Sequence, residues 1–373
     1  MIYLDNAATC YRKPLAVYRD MAYYTALLSA NAGRGGHYLS VKAAEKINDT
    51  AFELAGLFNI PNPSNIAFTQ NATLALNLAI LGTGAGKHIV TTSMEHNSVM
   101  RPVHKMGSYT IVKADGEGFV KPEKIKSAIR HNTGLIVIGH ISNVCGSIQD
   151  VKAITKTAAE FKIPVLLDAA QSAGIADIDV QDMNIDMLAF SGHKGLMGPL
   201  GTGGLYVRDE KKLKPIITGG TGSGSDSFVQ PSEMPDMLQS GTMNTPAIAA
   251  LGTGIKFIKK RTPAAILAHE RRLAGYFINE LINMDNVTVY GSLDMEKRNG
   301  TVAFNIDGTD SNTVADILND EYKFIVRGGW HCAYTAHQTI GSPMGAVRAS
   351  FGFFNNMNEV KIAVDAVNDI RKR

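Results

Sequence analysis

Short apolar runs alternate with amphipathic segments through the first two thirds of the chain. The segments at residues 15–28, 41–58 and 74–81 carry apolar positions at helical spacing, which predicts three helices. Shorter apolar runs predict strands, at residues 65–69, 87–92, 109–113, 135–141, 163–168, 185–190 and 201–207. Buried strands that alternate with helices are typical of a mostly parallel sheet covered on both faces. The pattern therefore predicts an α/β protein.

The pattern changes after a predicted helix at about residues 247–260. Beyond it, helices are predicted at 263–284 and 311–321, and short strands at 287–290, 301–306 and 325–327. This arrangement predicts a smaller C-terminal α+β domain. The expected division of the chain is an N-terminal segment that packs near the small domain (1–14), a large domain (15–255) and the small domain (256–373).

A polar residue follows each of four predicted strands: His96, Asn143, Asp168 and Lys194. Ligands of open parallel sheets gather where the carboxyl ends of the strands meet, so we expect these four side chains at one site. A lysine at the end of a buried strand is partly desolvated, and its neutral amine can bond to a carbonyl carbon. A solvated loop lysine is an equally good interpretation of residues 191–195 taken alone, and a strand-end aspartate could instead bind a metal or a nucleotide.

A second candidate site lies where the strand at 65–69 leads through a polar turn into the helix at 74–81. Ala72 and Thr73 occupy this junction. The free N–H groups and the dipole of a helix N-terminus favour an anion such as phosphate. Simple capping of the helix by Thr73 is the alternative interpretation.

The composition narrows the classes of function. The 373 residues carry 37 Lys and Arg against 34 Asp and Glu, and this net charge of +3 implies no nucleic-acid partner. The scattered cysteines Cys10, Cys145 and Cys332 predict neither a disulfide framework nor a zinc site, and we expect no metal. The apolar runs are shorter than the roughly 20 residues of a membrane helix, and the N-terminus lacks a signal-peptide pattern. We therefore expect a cytoplasmic protein that does not bind membranes.

Several separate motifs resemble the fold-type I pyridoxal-phosphate (PLP) enzymes. They are residues 3–9 (YLDNAAT), Glu95-His96, Asp168 with Gln171, residues 191–195 (SGHKG), and residues 327–333 (RGGWHCA) followed by Arg348. Within those enzymes they resemble the class V aminotransferase and cysteine desulfurase family, in the branch of sulfur-mobilising desulfurases and selenocysteine lyases. The resemblance implies a PLP cofactor, a mostly parallel seven-stranded sheet in the large domain, and a homodimer with a shared active site.

The resemblance also assigns roles around the cofactor. Lys194 would bond to PLP and act as a base, Asp168 would keep the ring nitrogen protonated, and His96 would stack on the ring. Asn143 would reach the ring hydroxyl or the substrate carboxylate. The other expected cofactor-binding residues are Gln171, Ala72, Thr73, Ser191, His193 and Thr242, the last of which would reach the phosphate bound by the neighbouring subunit. Ala72 replaces a hydroxyl residue often found in this turn, so only its backbone is expected to bind.

On the substrate side, the resemblance makes Cys332 the thiol that accepts sulfur, on a short loop. Arg348, assisted by Arg327, would bind the substrate carboxylate. Arg34 and His37, in a glycine-rich loop, would also approach a carboxylate, although a solvated loop explains them equally well. Trp330 replaces a histidine common in this segment, which leaves substrate preference and thiol activation open. Cys10 and Cys145 are expected to be buried and inert.

Together these residues predict a PLP-dependent cysteine desulfurase that converts L-cysteine to L-alanine and keeps the sulfur as a persulfide on Cys332. The expected partners are L-cysteine or L-selenocysteine and a protein that accepts sulfur or selenium, as in iron–sulfur cluster assembly. A selenocysteine lyase and a class V aminotransferase on the same fold are the alternatives, and the second would give Cys332 no task. A non-catalytic protein of this fold is disfavoured, because Lys194, Asp168, His96 and Cys332 occur together.

Overall fold

The computed structural model describes residues 1–33, 35–84 and 86–373. The core of the large domain is a seven-stranded sheet with the order β2-β8-β7-β6-β5-β3-β4. Its strands are β2 (Ile66–Thr69), β3 (His88–Thr92), β4 (Tyr109–Val112), β5 (Thr133–Gly139), β6 (Val165–Asp168), β7 (Met187–Ser191) and β8 (Gly203–Val207). Only β8 runs antiparallel to its neighbours, β2 and β7. The predicted mostly parallel sheet is confirmed.

Helices cover both faces of this sheet. They are α1 (Leu15–Leu27), α2 (Tyr38–Phe58), α3 (Ala72–Gly82), α4 (Asn97–Met106), α5 (Pro122–Ala128), α6 (Val151–Glu160) and α7 (Thr245–Arg261). Successive residues of the central strands pack into two different apolar clusters. Ile136 and Ile138 of β5 join a cluster with α2, α6 and α7, whereas Leu135 and Val137 join one with α3 and α4. This alternation is why the buried strands are continuous apolar runs in the sequence.

The C-terminal part of the chain builds a second core around a small antiparallel sheet. This sheet has the order β12-β10-β9, from the strands β9 (Val287–Tyr290), β10 (Thr301–Ile306) and β12 (Val347–Ser350). The helices here are α8 (Pro263–Leu281), α9 (Ser311–Asp320), α10 (Tyr334–Ile340) and α11 (Met357–Ile370). Phe277, Phe304 and Phe351 meet edge to face at the centre of this core.

The first residues of the chain lie between these two cores. Strand β1 (Ile2–Tyr3) pairs in parallel with the short strand β11 (Phe324–Ile325). A few residues later the chain reaches the large sheet, where the Cys10 N–H donates to the carbonyl oxygen of His193 at 3.1 Å. The Ala7 carbonyl accepts a hydrogen bond from Gln171 Nε2 at 2.9 Å. The N-terminal segment therefore contacts both the C-terminal core and the loop that carries Lys194.

Two helix starts differ from the sequence prediction. Helix α2 begins at Tyr38 and is capped by His37, whose Nδ1 accepts from the Ser40 N–H at 3.3 Å. The Ser40 hydroxyl, which could also cap this helix, donates instead to the carbonyl oxygen of Asn31. Helix α3 is capped by Asn71 rather than by Thr73, so the alternative interpretation of that junction was wrong. Among the described residues, no helix is long and apolar enough to cross a membrane.

Candidate active site

A cavity of about 240 Å³ lies at the carboxyl ends of the central strands. The predicted site residues that line it are Ala72, Thr73, His96, Asn143, Asp168, Gln171, Ser191, His193 and Lys194. Strands β3, β5, β6 and β7 run parallel and adjacent, and each contributes the polar residue at or just after its end. The four strand-end side chains expected to meet therefore line the same cavity.

Lys194 and Asp168 form the titratable centre of the cavity. Burial lowers the pKa of Lys194 to about 8, against the opposing attraction of Asp168. Burial also raises the pKa of Asp168, which is opposed by a hydrogen bond from the Ala170 N–H to Oδ1 at 2.9 Å and by the charge of Lys194. The lowered pKa gives Lys194 a larger neutral fraction near neutral pH than an ordinary lysine has, and the protonated form of Lys194 favours ionised Asp168.

His96 is held in one orientation as the N-cap of α4. Its Nδ1 accepts the Ser98 N–H at 3.0 Å and lies 2.9 Å from the Ser98 hydroxyl, which in turn lies 2.7 Å from the Thr73 hydroxyl. Burial and the nearby charges of Lys194 and Arg348 lower the pKa of His96 to about 4. The imidazole is therefore neutral, and its proton lies on Nε2 because Nδ1 accepts from a backbone N–H.

The N-terminus of α3 lines the same cavity, and its first N–H groups are bonded to side chains. The Ala72 N–H donates to Ser191 Oγ at 3.1 Å, and Asn71 Oδ1 accepts from the Leu74 N–H at 2.9 Å. Gly203 makes this close approach of helix and sheet feasible, because a Cβ there would lie 2.7 Å from Asn71 Cα. The positive end of the α3 dipole and the Ser191 hydroxyl meet at this cavity, and together they favour an anion.

These donors fit PLP. The N-terminus of α3 and Ser191 suit its phosphate, Asp168 suits a protonated ring nitrogen, and Lys194 supplies the amine that its aldehyde requires. Of the described residues that line the cavity, one has a buried polar atom without a protein partner: Glu95, at Oε2. Among the described residues, no group of His, Cys, Asp or Glu could hold a metal ion. The N-terminus of α3 and the Ser191 hydroxyl suit an organic phosphate.

Two arginines share one buried carboxylate beside the cavity. Arg348 donates to Asp5 Oδ1 at 2.6 Å and to the carbonyl oxygen of Asn143 at 2.9 Å, while Arg327 donates to Asp5 Oδ2 at 2.9 Å. Arg348 and Asp5 are buried, whereas the Arg327 side chain is half exposed. Two cations and one anion leave a net charge of +1, which suits a single carboxylate.

Cys332 is the exposed cysteine of the chain, whereas Cys10 and Cys145 are buried. It lines an outer groove of about 460 Å³ together with Thr73, His96 and Ser98, which also line the cavity. Its carbonyl accepts the Asn97 N–H at 2.7 Å, next to His96 in the chain. Cys332 therefore lies on a groove that shares three lining residues with the cavity, although Cys332 does not itself line the cavity.

Comparison with known proteins agrees with this geometry. The family model for aminotransferase class-V matches residues 2–362. The chain belongs to the class V aminotransferase family. It is 32% identical to a probable cysteine desulfurase of Methanothermobacter thermautotrophicus over 99% of this chain and 94% of that protein. It is 33% identical to a probable cysteine desulfurase of Pyrococcus abyssi over 100% of this chain and 94% of that protein.

A solved structure of the family superimposes closely on the chain. It is the apo cysteine desulfurase of Thermococcus onnurineus, with a TM-score of 0.93 and 32% identity, covering 100% of this chain and 94% of that one. The family and fold expected from the sequence motifs are therefore confirmed.

Two of the predicted site residues, Thr242 and His37, lie away from the cavity. Thr242 is exposed and lines a different groove, of about 490 Å³, which His193 also borders. His37 is exposed, and its ring is used to cap α2. Arg34 lies outside the described residues. Among the residues that sequence reasoning missed, Asp5 and Glu95 stand directly beside or within motifs that the sequence displays.

Proposed function

We propose that this chain is a PLP-dependent cysteine desulfurase that converts L-cysteine to L-alanine and takes up the sulfur on Cys332. The observation that carries the proposal is the position of an exposed thiol on a groove that shares Thr73, His96 and Ser98 with the Lys194 cavity. An aminotransferase needs the lysine and the acid but has no use for this thiol. The desulfurase relatives point to the same activity.

The proposed cofactor would be held by Asp168, Ser191 and the N-terminus of α3, with Lys194 as its covalent partner. When bound, PLP withdraws electrons from the substrate α-carbon and so makes loss of the α-proton feasible. Lys194 Nζ takes that proton, for which a pKa of about 8 is well matched to neutral pH. Neutral His96, whose orientation is fixed by Ser98, would lie against the cofactor ring.

The substrate carboxylate would bind to Arg348, with Arg327 at the exposed side. Asp5 orients both guanidinium groups and halves their charge, so that one carboxylate completes the neutralisation. A bidentate arginine contact of this kind fixes both the position and the direction of the amino acid.

The sulfur-transfer step balances without an added oxidant. The Cys332 thiolate attacks the sulfur of L-cysteine, so that an S–S bond forms while the substrate Cβ–S bond breaks. The electron pair of the broken bond stays with the carbon fragment, which takes up protons and leaves as L-alanine. The product on the enzyme is a persulfide, and the thiol of an acceptor protein would collect its outer sulfur, for uses such as iron–sulfur cluster assembly.

The test is alanine release by the purified protein with PLP, from L-cysteine and from L-selenocysteine. Wild type is compared with Cys332→Ala, and Cys10→Ala serves as the matched control. The proposal requires that Cys332→Ala loses alanine formation from L-cysteine but still changes the absorbance of the cofactor on substrate addition. Full turnover of L-cysteine by this variant would refute the role of the thiol. Alanine from L-selenocysteine alone would make the protein a selenocysteine lyase.

We further propose that the enzyme is a homodimer. The groove that contains Thr242 is lined by Leu200 and Ile217, which are exposed in the single chain, and Phe228 and Val229 are exposed in a nearby loop. Exposed apolar side chains of this density favour a protein partner. Sedimentation of the holoenzyme should give twice the chain mass, and a monomer that retains full activity would refute a shared active site.

A further inference from the structure

The backbone that presents Cys332 is held in an unusual conformation. Both His331 and Cys332 have positive φ angles, of 50° and 56°. Neither residue is glycine, and two consecutive left-handed residues are uncommon because each brings its Cβ close to backbone. Such a turn persists only where surrounding contacts hold it, and residues in this conformation cluster at functional sites.

The ring of His331 belongs to a buried chain of hydrogen bonds. Its Nε2 lies 3.1 Å from the carbonyl oxygen of Arg327, and its Nδ1 lies 3.1 Å from His337 Nε2. The His337 Nδ1 lies 2.8 Å from the Ser342 hydroxyl. A carbonyl can only accept, so the His331 proton lies on Nε2, and Nδ1 must accept from His337. The His337 Nδ1 must then accept from Ser342, which fixes the direction of every bond.

Both rings are neutral, as this bonding pattern requires. Burial and nearby Arg348 lower the pKa of His331 to about 2, and burial lowers the pKa of His337 to about 4. The rings stack with their centroids 5.2 Å apart. A proton on either accepting Nδ1 would set one donor against another, so burial and hydrogen bonding support the same protonation state.

The main chain of the same turn is bound to the catalytic cavity. The His331 carbonyl accepts from Asn143 Nδ2 at 2.8 Å, and the Cys332 carbonyl accepts from the Asn97 N–H at 2.7 Å. The Asn143 side chain is therefore committed to this turn. The ring chain on one side and these two bonds on the other leave the turn little freedom to relax.

We propose that Ser342, His337 and His331 form a buried hydrogen-bonded relay that holds the left-handed turn and so aims the Cys332 thiol at the cavity. His331 is part of the turn and His337 bonds to its ring. Both are positioning residues, since neither side chain is proposed to contact the substrate. The significance of the relay for catalysis rests on the proposed desulfurase function. Its effect on the turn does not, because it can be measured without turnover.

Three substitutions at position 337 separate the relay from general packing. In His337→Gln the side-chain amide nitrogen lies at about the place of Nε2, so the donor to His331 is kept. In His337→Asn the shorter amide matches only Nδ1, and in His337→Leu both bonds are lost. The readouts on the holoenzyme are kcat and KM for alanine formation, the change in cofactor absorbance on adding L-cysteine, and hydrogen exchange of the Asn97 amide. That amide reports directly on the turn, because it bonds to the Cys332 carbonyl.

For His337→Asn we expect kcat and the protection of the Asn97 amide to fall roughly tenfold, the effect of one lost hydrogen bond of ordinary strength. His337→Leu loses both bonds of the ring, so its kcat and protection should fall at least as much. KM and the absorbance change should stay at wild-type values, and His337→Gln should remain close to wild type. Wild-type protection and kcat in His337→Leu would overturn the proposal, and so would a His337→Gln variant as impaired as His337→Leu. If His337→Leu does not fold, Ser342→Ala must lower the protection of the Asn97 amide, and unchanged protection would refute the relay. Absence of alanine from wild type would instead refute the desulfurase function.

Discussion

Replacing Lys194 by methionine should make the cofactor-free protein more stable, and by an amount that depends on pH. In the folded protein the pKa of this lysine is about 8, against 10.5 for a free side chain. Between these values the unfolded chain binds a proton that the folded protein does not. The contribution of Lys194 therefore lowers the free energy of unfolding as the pH falls from 10.5 to 8. Below pH 8 this destabilisation has its full value.

The size of the effect follows from the two pKa values. At 1.36 kcal/mol for each pH unit, the lowered pKa costs at most about 3 kcal/mol at pH 7, and about 1 kcal/mol at pH 10. Lys194 is partly exposed, so solvent reduces both values. Methionine is similar in length and carries no charge, so Lys194→Met removes the pH-dependent part. Any change in packing adds a constant at every pH.

The assay is urea unfolding of the cofactor-free protein between pH 7 and pH 10, with wild type, Lys194→Met and the exposed Lys260→Met as a matched control. The stability advantage of Lys194→Met should shrink as the pH rises, whereas Lys260→Met should follow wild type. An advantage that stays constant over this range would show that Lys194 is not desolvated. The stated reason for its reactivity would then be wrong.

Two further predictions concern residues that shape the site. Asp5→Asn leaves buried Arg348 without its carboxylate partner and should cost about 3 kcal/mol of unfolding free energy, measured with denaturant. The control is Glu321→Gln, which removes the exposed ion pair with Arg373 and should cost little. Equal losses would contradict the structural role of Asp5. Gly203→Ala should lower the free energy of unfolding by about 1–3 kcal/mol, because the added Cβ would push against Asn71. It should also weaken PLP binding in an absorbance titration. The control is Gly116→Ala, which places its Cβ in open space and should change neither stability nor PLP binding.

The sequence was informative wherever one local pattern decides the structure. Each of the seven predicted strands of the large sheet has a counterpart within a few residues, because strands buried on both faces are continuous apolar runs. The meeting of His96, Asn143, Asp168 and Lys194 followed from one rule, that parallel strands end at the same edge of a sheet.

Other features of the site depend on contacts between distant segments or on local competition, and no pattern in the sequence reveals them. The Asp5–Arg348 pair joins residues 343 positions apart, and nothing near Asp5 indicates which cation it meets. The tautomers of His331 and His337 follow from which atoms face each other, which only the folded chain determines. At the start of α2, both His37 and Ser40 are able to cap, and the Ser40 hydroxyl bonds to Asn31 instead.

The N-terminal segment explains how the two halves of the proposed reaction are held together. Through Ala7 and Cys10 it bonds to Gln171 and to the carbonyl of His193, next to the lysine proposed as the base. Through Asp5 it bonds to Arg348, which in turn donates to the Asn143 carbonyl, and the Asn143 side chain bonds to the turn that carries the proposed sulfur-accepting thiol. In the proposed reaction the lysine acts on the Cα hydrogen and the thiol on the sulfur of one bound amino acid, so small errors in their separation would be costly. The N-terminal segment is hydrogen-bonded to neighbours of both groups and would therefore help to position them, although none of its side chains needs to react.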